Sequence, residues 1–227
     1  MSWISDIYRS ALGKKAVMAA SGLLLVGFVL GHMAGNLKVF LGAEKFNGYA
    51  EWLREIGSPL LPHNGALWIV RAVLLLAVLL HIHSAWSLTL LNRAARATRY
   101  HTLTTQQATY ASRTMRWGGV IVLLFVLYHL AHFTWGLSWA HPDFEVGNPY
   151  RNFVVGFQIR WVVAFYVAAQ IALGFHLYHG FWSAFQTLGW DHRLILAWRR
   201  PVAAAIAVVV SLGNISLALS VLMGWVS

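Results

Sequence analysis

Residues 161–190 read WVVAFYVAAQIALGFHLYHGFWSAFQTLGW and contain no Asp, Glu, Lys or Arg over 30 positions. About 20 such residues are enough for a helix to cross the hydrocarbon core of a bilayer. Four further runs of 21 to 27 residues also lack these charges: Ala16–Leu37, Ala72–Asn92, Trp117–Pro142 and Pro201–Ser227. The sequence therefore predicts an all-α integral membrane protein, a bundle of five transmembrane helices. Its spans are expected at about 16–37, 68–92, 115–139, 158–184 and 201–225.

The composition agrees with a single membrane domain over residues 1–227. The chain is 59% hydrophobic and only 11% charged, whereas soluble domains carry about 25% charged residues. The absence of cysteine excludes disulfides, iron–sulfur ligation and covalent c-type haem attachment. The first apolar run is longer than a signal-peptide core, so we expect the N-terminus to be retained.

The net charge of +10 is distributed in a way that indicates a membrane rather than nucleic acid. With five spans the two termini lie on opposite sides. The side of the N-terminus carries eleven of the Lys and Arg residues and the other side six. The positive-inside rule predicts a cytoplasmic N-terminus and an outside C-terminus. We expect a multi-pass protein of the cell inner (plasma) membrane.

Histidine is unusually frequent for so apolar a chain, with eleven residues. Ionisable groups at membrane depth are costly and tend to face the bundle interior with a partner. A single buried histidine is often just hydrogen-bonded to a neighbouring helix. Four successive spans that each carry histidine indicate a shared ligand. The histidines in the spans are His32, His81, His83, His129, His132, His176 and His179.

The ligand that fits best is haem. Zinc in a bilayer interior without Cys or carboxylate is disfavoured, and a proton relay would add Asp or Glu, which the spans lack. A low-spin b haem needs two neutral imidazoles from opposite helices in an apolar slot. Gly27, Gly31 and Gly35 near His32 would let a macrocycle approach, although small residues also serve plain helix packing.

Depth along the spans sorts the histidines into two pairs. At about 1.5 Å of rise per residue, His32 lies about 9 Å and His129 about 15 Å from the outer ends of their spans. His81 and His176 both lie about 24 Å from theirs. The prediction is an outer pair, His32 with His129, and an inner pair, His81 with His176, each binding one of two b haems.

Two neighbouring histidines compete for each ligand position on the third and fourth spans. His129 and His132, like His176 and His179, are three residues apart and share a helix face. We expect the deeper member to ligate iron, and His132 and His179 to meet a propionate or a quinone. His83 points nearly opposite to His81 and is expected at a helix interface or in the headgroup region.

These histidines stand in motifs that resemble a known family. The motifs are Gly31-His32-Met33 with Gly35-Asn36, and the stretches 80–86 (LHIHSAW), 128–133 (YHLAHF) and 175–183 (FHLYHGFWS). They resemble the di-haem cytochrome b membrane-anchor subunit of succinate:quinone oxidoreductase and fumarate reductase, respiratory complex II. The likeness extends over all five helices. It implies the axial ligands His32, His81, His129 and His176, as the depth argument does.

The resemblance also implies partners and a role. A flavoprotein subunit with covalent FAD and an iron–sulfur subunit would dock on the cytoplasmic face, and electrons would pass to menaquinone. Oxidation of succinate in the tricarboxylic acid cycle would take place on the flavoprotein. Some relatives carry a glutamate for transmembrane proton transfer two residues before the fourth-span ligand. Gly174 stands there, so no such pathway is expected.

Two quinone sites are predicted. Apolar residues recur at helical spacing in Glu44–Ile56, so this segment is expected to lie along the outer interface and to roof a site near the outer haem. Glu51 or Glu55 would take up the quinol protons, although both are equally compatible with solvated surface charges. A second, inner site is expected near Ser21 and His83.

Two other functions stay open. One is the quinone-linked cytochrome b of a hydrogenase or formate dehydrogenase, and the other is a transporter whose buried histidines move protons or metal without haem. Membrane lipids are expected around the bundle, and a higher oligomer of the complex is left open.

Overall fold

The computed structural model describes residues 8–95, 110–190 and 192–227, without the side chains of 110–114. The described residues form helices and no strand. Five of the helices are long and apolar enough to span a membrane, which confirms the all-α, five-span prediction. The elements are α1 (Ala11–Asn36) with a 3-10 turn (Leu37–Leu41), α2 (Ala43–Glu55), α3 (Gly65–Ala94), α4 (Tyr110–Phe133), α5 (Pro149–Phe157), α6 (Arg160–Thr187) and α7 (Arg193–Leu222).

Helix α1 begins five residues before the expected start of the first span. Its N-cap is Ser10, whose hydroxyl oxygen accepts a hydrogen bond from the Gly13 amide at 2.9 Å. This cap satisfies one of the free amides of the first turn. The helix continues through Lys14 and Lys15, so the charged residues lie on the first turn of the span and not on a separate segment.

The third span is shorter than expected, because α4 ends at Phe133 and not near residue 139. The Trp135 amide donates to the Leu130 carbonyl at 2.8 Å, and Gly136 follows with a positive φ of 57°. This is the usual way in which a helix closes with a left-handed glycine. The chain then forms a loop over 134–148 that leads into α5, called the outer loop below because the charge-based topology predicts it outside.

Helix α5 was not expected from the sequence. It is nine residues long, with Pro149 in its first turn, and the Asn148 side chain accepts from the Arg151 amide at 3.2 Å. A short helix of this kind lacks the long apolar run that made the spans recognisable. It lies at the same end of the bundle as α2, and it packs against α2 and α4.

The fifth span begins earlier than its uncharged run, because α7 starts at Arg193 and contains Pro201. The guanidinium carbons of Arg199 and Arg200 lie 5.8 and 4.9 Å from the centre of the Trp182 ring on α6. These cation–π contacts hold the first turns of α7 against α6. Pro201 is tolerated because neighbouring groups in a membrane bundle can satisfy the carbonyl it leaves free.

Helix α6 is the centre of the bundle. It packs against α1, α4 and α7, and α1 also packs against α3. The Tyr150 hydroxyl donates to the carbonyl of Ser227 at 3.2 Å, so the C-terminus lies at the end that carries α2 and α5. This end is the outer end of the charge-based topology. In the described residues the backbones of α1 and α4 do not pack closely, and neither do those of α3 and α6.

Candidate functional site

The outer pair is brought together by α1 and α4. The rings of His32 and His129 have centroids 5.8 Å apart and stand at 87° to each other. Phe28 stacks on His32 with centroids 5.3 Å apart, and Phe125 lies 5.8 Å from His129. Two histidines almost a hundred residues apart in sequence therefore face each other in an aromatic setting near the outer end.

The inner pair is brought together by α3 and α6. The rings of His81 and His176 have centroids 6.2 Å apart at an angle of 65°. Two glycines adjoin this pair. A Cβ atom on Gly22 would lie 3.2 Å from the Cε1 atom of His81, and one on Gly119 would lie 3.6 Å from that of His176. The close approach of α1 to His81 thus depends on Gly22.

The separation within each pair suits one metal ion between two imidazoles. With metal–nitrogen bonds of about 2 Å, two imidazoles on opposite sides of a metal have ring centroids roughly 6 Å apart. Both pairs have nearly this separation. Each also joins two helices whose backbones do not pack closely, so neither pair is a by-product of a tight helix crossing.

The paired histidines are not sealed by protein. His32 is exposed, while His81, His129 and His176 are half-buried. Beside His32, Cβ atoms at Gly27 and Gly31 would meet none of the described atoms within 4 Å. Gly35 differs, because the Tyr49 side chain of α2 occupies the space next to it. The face of α1 beside His32 is therefore open at two of the three glycines singled out in the sequence.

The ring of His81 is oriented by the backbone of α1. Its Nδ1 atom lies 3.1 Å from the carbonyl oxygen of Met18 and 3.4 Å from the hydroxyl of Ser21. A carbonyl only accepts, so Nδ1 carries the proton and Nε2 keeps a free lone pair. The Ser21 hydroxyl donates to the Val17 carbonyl at 2.7 Å. Ser21 therefore stands beside the inner pair.

The other ligand candidates differ in how they are held. The Nδ1 atom of His129 lies 3.2 Å from the Tyr166 hydroxyl of α6. The Nδ1 atom of His176 is buried and has no hydrogen-bond partner in the described part of the chain. Imidazoles that bind metals usually donate the second N–H to a partner, and His129 has such a partner here.

His132 is buried one turn along α4 from His129. It is 0% exposed, and its Nδ1 atom lies 3.0 Å from the same Tyr166 hydroxyl. His141 of the outer loop packs on it, with ring centroids 4.8 Å apart, and donates from Nδ1 to the His132 carbonyl at 3.2 Å. Burial lowers the pKa of His141. His132, which was expected to meet a propionate or a quinone, is thus enclosed by described residues.

The remaining span histidines also have close neighbours. His179 lies one turn beyond His176 on α6, with its ring 5.1 Å from that of Trp182. His83 stacks on Tyr8 and lies 2.5 Å from its hydroxyl through Nδ1. Tyr8 also approaches the Ser84 hydroxyl, at 3.4 Å. His83 thus attaches the segment before α1 to α3, on a different face from His81.

A cavity of about 190 Å³ lies between α1 and α2 at the outer end. Among the residues that line it are His32, Asn36, Phe46 and Tyr49. Helix α2, observed at Ala43–Glu55, covers it, close to the Glu44–Ile56 segment predicted from the sequence. The cavity connects one member of the outer pair with the amphipathic helix that was expected to roof a site there.

The acidic residues of α2 lie outside this cavity, on the exposed face. Glu51 pairs with Arg54 at 2.6 Å, and Glu55 with His63 at 2.7 Å. The side-chain ligand atoms of Glu51, Glu55 and His63 all lie within 4.8 Å of one another. Exposed groups of this kind are common without a bound ion.

The Gly174 position has no room for a larger side chain. Ser211 of α7 packs directly against it, and the Ser211 hydroxyl donates to the Gln170 carbonyl at 3.1 Å. The two helices approach closely because position 174 is glycine.

Sequence reasoning did not identify Tyr166, Met18, Gly22 or His141 as neighbours of the histidines. The sequence contained one indication of Tyr166, because its side chain places a hydroxyl group within a run of 30 residues that lack Asp, Glu, Lys and Arg. The carbonyl of Met18 carries no side-chain signal at all. His141 lies in a loop whose fold depends on the end of α4.

Comparison with known proteins does not add an assignment. No protein-family model matches the chain, and neither a curated protein nor a solved structure matches it.

Proposed function

We propose that this chain is the membrane-anchor and electron-transfer subunit of a succinate dehydrogenase, with two b haems. It would carry electrons between an iron–sulfur subunit and menaquinone or another quinone. The observation that carries the proposal is the geometry of the two histidine pairs. Each pair comes from helices that do not pack closely, and each has the ring separation expected for two imidazoles on one iron.

The residues fit the prosthetic group in three respects. His32 with His129, and His81 with His176, would supply the axial nitrogens. The contact of His81 Nδ1 with the Met18 carbonyl leaves its Nε2 available for iron, and the Tyr166 hydroxyl beside Nδ1 of His129 can accept a proton from it and so allow the same. The surrounding side chains are aromatic or small, as a low-polarity slot requires. Haem when bound would supply a one-electron carrier, and the chain's own residues would orient the imidazoles.

The cavity beneath α2 supports an outer quinone site. It adjoins His32, so a quinone there would be close to the outer haem, and Asn36 and Tyr49 would offer polar atoms to its carbonyl groups. Glu51 and Glu55 on the exposed face of the same helix would take up the quinol protons. The second quinone site is proposed near Ser21 and His83 at the inner end, where it would shorten transfer from the iron–sulfur partner.

The charge distribution supports the placement of the partners. The end opposite α2 and α5 carries most of the basic residues. An inner-membrane protein would turn this end to the cytoplasm, where the FAD-containing flavoprotein and the iron–sulfur subunit would dock. Succinate chemistry would stay on the flavoprotein.

Spectroscopy of the purified full-length protein tests the proposal. A reduced-minus-oxidised spectrum should show b-type haem, and the haem-to-protein ratio should be two per chain. A colourless protein would contradict it and favour the proton or metal transporter. Co-purification with a flavoprotein and an iron–sulfur subunit would support complex II, whereas a hydrogenase or formate dehydrogenase partner would support the other cytochrome b.

A further inference from the structure

A second cavity lies at the inner end of the bundle, opposite α2 and α5. Its volume is about 220 Å³, and it lies between the last turns of α3 and the first turns of α4. The described residues that line it are Thr89, Asn92, Arg93 and Arg116. All four are polar and two are arginines, whereas the cavity beneath α2 is lined mainly by apolar and aromatic residues. The two cavities therefore suit ligands of different chemistry.

The positive charge of this inner cavity is not balanced by nearby carboxylates. In the described part of the chain neither Arg93 nor Arg116 forms an ion pair. Residues 93–116 contain five arginines and no Asp or Glu, so the connection between the two helices supplies no carboxylate. Asp6 and Asp191 lie outside the described residues. The other acids all belong to α2 or the outer loop, at the far end of the bundle: Glu44, Glu51, Glu55, Asp143 and Glu145.

The side chains around the cavity offer the donors that an oxyanion needs. A guanidinium group presents a planar set of N–H donors that can bind two oxygens of a phosphate at once, and the Asn92 amide adds a further donor. The Thr89 hydroxyl donates to the Ala85 carbonyl at 2.8 Å, so its proton stays within α3. An anion between Arg93 and Arg116 would also offset the repulsion between their like charges.

Two exposed tryptophans place the cavity at the depth of the lipid headgroups. Trp86, one turn before Thr89 on α3, is 63% exposed, and Trp117, next to Arg116 on α4, is 74% exposed. Tryptophan is enriched at the membrane–water interface, where its ring lies at the level of the headgroups. Basic pockets between transmembrane helices on the cytoplasmic side bind anionic lipid headgroups. The phosphate source at this depth is the inner leaflet itself.

We propose that this cavity binds the phosphate group of an anionic phospholipid of the inner leaflet, through Arg93, Arg116 and Asn92. Exposed apolar residues continue from each tryptophan towards the membrane centre, among them Ile82 and Val120, and the acyl chains would lie along them. The lipid would join the end of α3 to the start of α4, whose backbones do not pack closely in the described residues. This site requires neither haem nor quinone.

Lipid retention measures the site directly. The full-length protein would be reconstituted in vesicles of phosphatidylcholine with a minor fraction of phosphatidylglycerol, and the phosphatidylglycerol that remains bound after extraction would be counted by native mass spectrometry. The wild type should retain it. A basic residue near an anionic membrane surface strengthens binding about fivefold, so Arg93→Gln and Arg116→Gln should each weaken retention by about that factor and the double variant by more.

Arg193 offers a matched control. It lies in the first turn of α7 at the same end of the bundle and does not line the cavity. Arg193→Gln removes the same charge from the same membrane surface and should leave retention unchanged. Equal losses in Arg193→Gln and Arg93→Gln would mean that the lipid responds only to the overall charge, and would overturn the proposal.

Inorganic phosphate distinguishes a lipid from a free anion. It should displace phosphatidylglycerol poorly, because it lacks the acyl chains that lie along the helices. Displacement at the same concentration as soluble phosphatidylglycerol would make this a site for free phosphate and overturn the lipid assignment. Retention that is the same in the double variant and the wild type would overturn the site altogether, as expected if the two arginines held a haem carboxylate instead.

Discussion

The outer and inner histidine pairs have almost the same ring separation but are built differently. In the outer pair His129 is held by a side chain, the Tyr166 hydroxyl, within a cluster of aromatic rings. In the inner pair His81 is held by a backbone carbonyl, that of Met18, and the approach depends on Gly22. A similar ring separation therefore arises from side-chain packing around the outer pair and from the proximity of α1 to α3 at the inner pair.

This difference has a consequence for sensitivity to substitution. The outer pair should respond to changes in polar side chains such as Tyr166. The inner pair should respond to the size of residues on the helix surface, because a backbone contact cannot be removed by truncating a side chain.

Removal of a single ligand should abolish one haem and leave the other. We expect His129→Ala to lose or convert the outer haem only, and His176→Ala the inner haem only, so that each variant retains about half of the haem. The two pairs share no side chain, which is the reason for this independence. Haem content and low-spin spectra of the purified variants would measure it.

The neighbouring histidines serve as controls for that experiment. His132→Ala and His179→Ala should keep two six-coordinate haems with at most altered potentials, since groups beyond the ligands tune rather than hold the metal. Retention of both haems in His129→Ala, together with loss in His132→Ala, would show that the wrong member of the α4 pair was chosen.

Surface labelling would establish which pair is the outer one. The protein has no cysteine, so single-cysteine variants report one position each. Val146 of the outer loop is 90% exposed, and Val146→Cys should be labelled in intact cells by an impermeant reagent. Ala97→Cys, in the α3–α4 connection outside the described residues, should be labelled only after lysis. The reverse labelling pattern would show that the topology is inverted, and the pair called outer here would then be the inner one.

A methyl group at Gly22 should weaken the inner site without removing it. In Gly22→Ala the new Cβ would stand 3.2 Å from His81, and overpacking of this kind costs about 1–3 kcal/mol. In a denaturant titration, Gly22→Ala should lose the inner haem at a lower denaturant concentration than the wild type does. The outer haem should be lost at the same concentration in both proteins. Gly118→Ala is the control, because a Cβ atom there meets none of the described atoms within 4 Å. Equal effects would refute the role of Gly22.

The packed conformation of the outer loop should become less stable at acidic pH, and this effect should be small. Burial lowers the pKa of His141, so the packed loop favours the neutral ring, while an opened loop takes up a proton near the usual pKa of 6.5. The stabilisation is complete above that pH and declines as the pH falls below it, by at most about 1.4 kcal/mol per pH unit.

Amide exchange measures this effect. After correction for the intrinsic pH dependence, exchange in residues 134–148 should increase below pH 6.5 in the wild type and stay flat in His141→Gln. The charged neighbours that also act on His141 are Asp143, which raises its pKa, and Arg151, which lowers it. Exchange that is independent of pH in the wild type would contradict the prediction.

Much of the fold could be predicted from the sequence, because a bilayer imposes a length on every span. Charge-free runs therefore indicated all five transmembrane helices, and the helical rise placed the four paired histidines at two depths. Helix ends were less certain. The end of α4 depends on Gly136 in a left-handed conformation. The start of α7 is capped by the His192 side chain, which accepts from the Leu194 amide, and charge counting reveals neither feature.

The sequence by itself determined which residue types lie at which depth, since composition and rise along a helix are local properties. Only the tertiary structure decided what each histidine ring faces. The groups that His129 and His132 contact depend on how α4 is rotated about its axis against α6. The Tyr166 hydroxyl of α6 lies next to Nδ1 of both rings. The orienting carbonyl of Met18 belongs to the backbone. Contacts of this kind depend on the packing of helices distant in sequence, which no local pattern records.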